Sequence, residues 1–135
     1  MSTTPLLPRN RMVEPLVNST NLWRSGAVLV AVGISAAAFG AHALKSRPGM
    51  TPERVASWVR GANYMTFNGI ALLAVSQHKR FATHKFAGPA ILGGAILFSG
   101  SILALSAFRE KVRFLGPITP LGGVFMVAGY VALAL

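Results

Sequence analysis

The chain of 135 residues contains no cysteine and only three acidic residues, Glu14, Glu53 and Glu110. The absence of cysteine excludes disulfide bonds, thiolate catalysis and metal sites built on cysteine. The three glutamates lie in separate polar segments, so the sequence contains no obvious paired-carboxylate site for hydrolytic chemistry. We therefore expect neither enzymatic activity nor a bound cofactor or metal.

Charge is also missing from four long stretches of the sequence. Charged residues make up 12% of the chain, about half of the roughly 25% found in soluble domains. The uncharged stretches are of the length, about 17 to 25 residues, that a helix needs to cross a bilayer, and they cover residues 25–44, 61–77, 86–108 and 114–135. Ion pumps and channels need charged groups near the middle of the membrane, and none of these stretches contains Asp, Glu, Lys or Arg.

These stretches predict an all-α fold, an integral membrane four-helix bundle formed by residues 25–135. Thr51-Pro52-Glu53 is a helix-start signature, because threonine caps a helix and proline is tolerated in its first turn. The second helix is therefore expected to begin outside the membrane and to cross it over residues 58–77. By the same argument Thr119-Pro120 predicts a capped start for the fourth helix.

Residues 1–24 are predicted to form an irregular amino-terminal arm, because Pro5, Pro8 and Pro15 disfavour a regular helix there. The basic, acid-poor and Ser/Thr-containing composition of this segment is typical of a mitochondrial targeting sequence. We expect Arg9 and Arg11 to dock onto acidic groups of a partner protein.

Small residues recur at helical spacing in three of the four stretches and predict close helix packing, because they let backbones approach each other in lipid. Gly33, Ala37 and Ala41 repeat every four residues, and Gly40 adds a second such pair with Ala36. The other predicted packing positions are Gly93, Gly94, Gly100, Gly122, Gly123 and Gly129.

Three polar residues in or near the spans, His42, Asn63 and Asn68, are predicted to contact neighbouring helices or partner proteins, because lipid offers no hydrogen bonds. The 13 Lys and Arg residues against three acids give a net charge of +10. They are dispersed between apolar spans, which argues against nucleic-acid binding and favours anionic lipid head groups such as those of cardiolipin. The predicted head-group contacts are Lys45, Arg47, Arg60, Lys79, Arg80, Lys85, Arg109, Lys111 and Arg113.

Three motifs resemble those of the small membrane-protein family that includes proteins similar to transmembrane protein 256, a domain of unknown function numbered 423. Residues 37–45, AAFGAHALK, resemble a GAFGAHxLK signature, residues 97–101 match LFSGS, and residues 116–123 match G-x-ITP-x-GG. The order agrees over residues 25–135. The chain departs from the family in the second span, where Asn68 follows Tyr64-Met65 and relatives carry a histidine. The resemblance implies an integral membrane protein with no established enzymatic activity.

Two functional hypotheses remain open at this point. We favour a non-catalytic accessory subunit or assembly factor of a larger complex in an energy-transducing membrane, such as a mitochondrial respiratory complex. The alternative is a carrier or channel for an uncharged or lipidic molecule, with a polar cavity around Asn63, Asn68 and His42. The favoured location is the mitochondrial inner membrane, and the alternative is a bacterial plasma membrane.

Overall fold

The computed structural model describes residues 16–135, which fold into four α-helices and contain no β-strand. Short 3₁₀ turns at Leu44–Ser46, Phe81–Thr83 and Arg113–Leu115 lie in the connections. The helices are α1 (Ser19–His42), α2 (Pro52–Ser76), α3 (Ala87–Phe108) and α4 (Ile118–Ala134). The predicted all-α, four-helix class is confirmed. The docking predicted for Arg9 and Arg11 concerns positions outside the described residues.

Side-chain caps explain where the first two helices begin. The Asn18 side chain accepts a hydrogen bond from the Asn21 N–H at 2.9 Å, so α1 begins at Ser19, six residues before the uncharged stretch. Thr51 Oγ1 accepts from the Arg54 N–H at 3.2 Å, with Pro52 in the first turn, as the sequence predicts.

The start of α4 differs from its prediction. The helix begins at Ile118 with no side-chain cap, and Thr119 lies inside its first turn. The Thr119 hydroxyl instead forms a short hydrogen bond with the Ser101 hydroxyl of α3. A hydrogen bond to the neighbouring helix α3 has thus taken the place of the local capping bond.

The helices pack mainly in chain order, α1 along α2, α2 along α3 and α3 along α4. Short connections favour this arrangement because they place successive helices antiparallel and side by side. One end of the molecule therefore carries the 43–51 and 109–117 connections, and the opposite end carries the 77–86 connection. We call these the two-loop end and the one-loop end.

Three helical segments are long and apolar enough to cross a membrane, namely Ser19–Ser46, Ala87–Phe108 and Arg113–Ala134. The helix α2 is not among them, although its 25 residues would extend about 37 Å. It lies between α1 and α3 and buries polar side chains such as Asn68 and Ser76. Because α1 and α3 cover much of its surface, fewer of its side chains face lipid and have to be apolar. A fourth crossing by α2 remains a prediction.

Glycine allows the backbones of α1 and α2 to approach closely. A Cβ atom added to Gly26 would lie 2.6 Å from the Gly69 carbonyl oxygen, and one added to Gly69 would lie 2.7 Å from the Gly26 oxygen. Gly33 is similarly placed, since a Cβ atom added to it would lie 2.8 Å from the backbone nitrogen of Thr66. The buried glycines of α1 are therefore Gly26, Gly33 and Gly40, seven residues apart.

This spacing differs from the predicted four-residue stripe. Ala37 is half-buried and Ala41 is exposed. A step of four residues turns about 40° past a full rotation, whereas a step of seven falls only about 20° short of two rotations. Residues at four-residue steps therefore rotate away from the face of α1 that contacts α2, whereas residues at seven-residue steps remain on that face.

Glycine also allows the backbones of α3 and α4 to approach closely. A Cβ atom on Gly94 would lie 2.7 Å from the Gly122 oxygen, and one on Gly129 would lie 2.7 Å from Ile91 Cγ1. A Cβ atom added to Gly123 would make only an ordinary contact with the Phe98 ring, at 3.6 Å. Gly93 and Gly100 differ from these, because an added Cβ atom would meet no other atom within 4 Å. Among residues 16–135, those two glycines make no close helix contact.

Candidate functional site

The largest buried polar side chain among the described residues is that of Asn68, which is 2% exposed. Its Nδ2 atom donates to the Tyr64 carbonyl oxygen at 2.7 Å and lies 3.1 Å from Met126 Sδ. Its Oδ1 atom accepts a short hydrogen bond from the Tyr130 hydroxyl. The amide thus ties α2 to α4, and both of its polar atoms have partners.

The other two polar residues singled out in the sequence do not join Asn68. Asn63 is exposed on α2, and His42 is exposed at the last position of α1. Five residues separate Asn63 from Asn68, which places their side chains about 140° apart around the helix. Asn63 and Asn68 therefore do not share the face of α2 on which the carrier hypothesis expected a polar cavity, and that hypothesis stays a prediction.

The Trp58 side chain forms an inter-helix contact that the sequence did not reveal. Its indole N–H donates to the Ala36 carbonyl oxygen at 2.6 Å, and its ring lies 5.5 Å from the Phe39 ring. Gly40 gives the ring its space, since a Cβ atom there would lie 2.8 Å from Trp58 Nε1. Tryptophan is common at the membrane interface, and this one also joins α2 to α1.

The two histidines of the one-loop end have structural roles. His78 Nδ1 accepts hydrogen bonds from the N–H groups of Arg80 and Phe81, at 3.1 and 3.2 Å. His84 Nδ1 accepts from Phe86 and Ala87, at 3.2 and 3.0 Å. Both rings therefore cap turns in the connection from α2 to α3.

A cleft of about 1060 Å³ opens at the two-loop end. The bond between Thr119 and Ser101 sets the first turn of α4 against the middle of α3, so the last two turns of α3 extend past it. The first turns of α2 face this uncovered part of α3. The cleft lies between these three elements.

Helical spacing explains which side chains enter the cleft. Phe98, Ile102 and Leu105 follow one another at steps of four and three residues along α3 and give the cleft an apolar wall. Arg54 and Arg60 come from α2, and Arg109 and Arg113 come from the connection before α4. The acidic residue among the described lining residues is Glu53. Four guanidinium groups against one carboxylate make the cleft electropositive.

Arg54 is held in place at this site. Its Nε atom donates to the Ser106 carbonyl oxygen at 3.0 Å, and one terminal nitrogen donates to the Gly49 oxygen at 3.2 Å. The first bond joins the start of α2 to the end of α3, and the second joins it to the connection before α2. Ser106 itself is 4% exposed. The guanidinium is therefore partly fixed before any ligand arrives.

The residues that were predicted to contact lipid head groups lie in three different places in the structure. Arg60, Arg109 and Arg113 line the cleft together with Arg54, which the sequence did not single out. Lys45, Arg47 and Lys111 are exposed at the two-loop end but are not among the described residues that line the cleft, and the Arg47 guanidinium lies 5.7 Å from the centre of the Phe108 ring. Lys79, Arg80 and Lys85 are exposed at the opposite end.

Comparison with known proteins places the chain among small membrane proteins. The profile of a family described as "Protein of unknown function (DUF423)" matches residues 36–123, which include all three motifs noted in the sequence. A UPF0382 membrane protein of Schizosaccharomyces pombe is 32% identical over 112 residues, covering 81% of this chain and 94% of the yeast protein.

Bacterial proteins are similar to nearly the same extent. The UPF0382 membrane protein YwdK of Bacillus subtilis is 31% identical over 111 residues, covering 78% of this chain and 86% of its own length. A UPF0382 membrane protein of Staphylococcus aureus is 33% identical over 110 residues, covering 80% and 87%. No solved structure matches the chain.

Proposed function

Since the chain belongs to the DUF423 family of membrane proteins, we propose that it is a non-catalytic accessory subunit or assembly factor of a larger complex in an energy-transducing membrane. The observation that supports this proposal is a pair of glycines on the outer face of α3. Gly93 and Gly100 lie seven residues apart on one side of this helix, with open space where a side chain would be. Small residues on an exposed face let a helix of another protein approach closely in lipid.

The outer helices add further unoccupied apolar surface. In the apolar segments that make α1 and α4 long enough to span a membrane, only 22% and 17% of the residues, respectively, are buried by other parts of the structure. Large side chains such as Val28 and Ile34 on α1, and Val124 and Val127 on α4, are between 58% and 65% exposed. Lipid or neighbouring subunits would cover these faces.

The polar groups of the interior support a structural role over transport or catalysis. Asn68 is bonded to Tyr64 and Tyr130, and Ser101 is bonded to Thr119. The bonds of Asn68 to Tyr130 and of Ser101 to Thr119 hold helices together, which is a structural use of these polar groups. Membrane transport of ions or protons needs ionisable groups at mid-membrane depth.

A mitochondrial respiratory complex is the assembly that we favour. Similar proteins occur in a yeast and in bacteria, which supports a role in a membrane type that both possess. The basic residues at both ends suit the anionic lipids of such membranes.

Native gel electrophoresis in a mild detergent tests the proposal. The parent protein should migrate with a large complex, and Gly100→Leu should release it while leaving its helical content unchanged, because nothing lies within 4 Å of the added Cβ. Ala27→Leu is the matched control, since it adds the same side chain to an exposed position of α1 where the large neighbours Trp23 and Val28 already keep another helix from approaching closely. Migration of the parent protein as a lone small species would contradict the proposal.

A further inference from the structure

We propose that the cleft at the two-loop end binds one anionic phospholipid, with its phosphate among the arginines and an acyl chain along Phe98, Ile102 and Leu105. This inference goes beyond the proposed function and does not depend on it. General attraction of lipids to exposed basic residues would need no cleft. The proposal concerns a single bound molecule at a defined place.

The first argument is charge. Arg54, Arg60, Arg109 and Arg113 line the same cleft, against the carboxylate of Glu53. A guanidinium presents N–H donors in a planar fork that matches two phosphate oxygens. Arg54 is already fixed by its bonds to two backbone carbonyl oxygens, so less conformational entropy is lost when an anion binds beside it.

The second argument is the gradient of polarity with depth. Arg109 follows the last residue of α3, and Phe98 lies 11 residues earlier, about 16 Å deeper along the helix axis. On the other wall, Arg60 lies six residues after Arg54, about 9 Å further along α2. Three of the four arginines, Arg54, Arg109 and Arg113, therefore lie toward the mouth of the cleft, whereas Arg60 lies deeper beside the apolar wall and Phe98 lies deepest. Positive charge thus falls with depth, as it does along a phospholipid bound head group outward.

The third argument is size and position. The volume of about 1060 Å³ lies at the upper limit of ordinary small-molecule pockets, about 300 to 1,000 Å³. It provides room for a head group together with part of a chain. The cleft also lies at an end of membrane-spanning helices, where lipid head groups are found. A phospholipid therefore fits better than a free anion, for which the apolar wall would have no use.

The test uses the full-length protein in detergent micelles and native mass spectrometry with added phosphatidylglycerol or phosphatidylcholine. We expect one phosphatidylglycerol to be retained in preference to phosphatidylcholine. The triple variant Arg60→Gln, Arg109→Gln, Arg113→Gln should bind it about a hundredfold more weakly, at about fivefold for each basic residue near the membrane surface. Arg54 is left unchanged because it also joins α2 to α3.

The control removes the same charge from the opposite end. The triple variant Lys79→Gln, Arg80→Gln, Lys85→Gln should bind phosphatidylglycerol within about threefold of the parent protein. Equal weakening by both triple variants would overturn the proposal, because binding would then reflect net charge alone. If the cleft triple variant does not fold, single Arg113→Gln, which alters an exposed residue of the connection, should weaken binding about fivefold.

Two further measurements separate the lipid from other occupants. Leu105→Gln should weaken phosphatidylglycerol binding because it makes the apolar wall polar, and added inorganic phosphate should not displace the lipid. Displacement by inorganic phosphate at comparable concentration would identify a free-anion site and overturn the proposal. A dimer in the mass spectrum that the arginine triple variant abolishes would do the same, because a second copy would then fill the cleft.

Discussion

The bond between Asn68 and Tyr130 gives a quantitative test of how α2 and α4 are joined. Replacing Asn68 by leucine keeps a side chain of similar volume but removes both polar atoms. The Tyr130 hydroxyl then loses its acceptor, and Met126 Sδ loses its contact with the amide. The bond from Asn68 to the Tyr64 carbonyl lies within α2, and its loss leaves the backbone hydrogen bonds in place.

The expected energies follow from measurements on other membrane helices. Hydrogen bonds between such helices contribute about 0.6 kcal/mol on average and about 1.7 kcal/mol at most. Asn68 is 2% exposed, so the upper half of that range applies. We expect Asn68→Leu to lower the free energy of unfolding by about 1 to 2 kcal/mol. Tyr130→Phe, which leaves the Asn68 oxygen without its donor, should cost about 1 kcal/mol.

The assay is unfolding in mixed detergent micelles, followed by far-UV circular dichroism, on the four members of a double-mutant cycle. If the two side chains bond as described, the double variant should be more stable than the sum of the two single losses predicts, by about 1 kcal/mol. A coupling energy indistinguishable from zero would refute the reasoning. The matched cycle of Asn63→Leu with Tyr130→Phe should show no coupling, because Asn63 is exposed on another side of α2.

Four other substitutions test separate positions. Gly40→Leu should displace the Trp58 ring and reduce the free energy of unfolding by about 2 kcal/mol or more; unchanged stability would contradict the packing of Trp58 on α1. Ser99→Ala should leave stability unchanged or raise it by up to about 1 kcal/mol, because the Ser99 hydroxyl is buried without a hydrogen-bond partner in the described structure, whereas Ser101→Ala should be destabilising. His42→Gln should alter neither stability nor assembly, since the histidine is exposed at the end of α1; loss of a haem or metal absorption band in the variant would refute that prediction.

The number of helices, the membrane class of the protein and the start of α2 were predictable from the sequence alone. Uncharged stretches of about 20 residues and the scarcity of acids indicated membrane helices, because a charge in hydrocarbon is costly wherever the helix packs. The start of α2 followed from Thr51 and Pro52, because a cap bonds to residues three positions away and is a local feature. The motifs of residues 37–45, 97–101 and 116–123 indicated the family that the comparisons confirm.

Only the tertiary structure determined which residues of different helices meet. A sequence specifies which side chains share a face of one helix, but the rotation and offset of that helix against its neighbour depend on how both surfaces fit. Gly26 meets Gly69, Trp58 lies over Gly40, and Thr119 bonds to Ser101 instead of capping its own helix. The cleft has the same origin, because its arginines come from α2 and from the connection before α4 and meet only through the offset of α4 along α3.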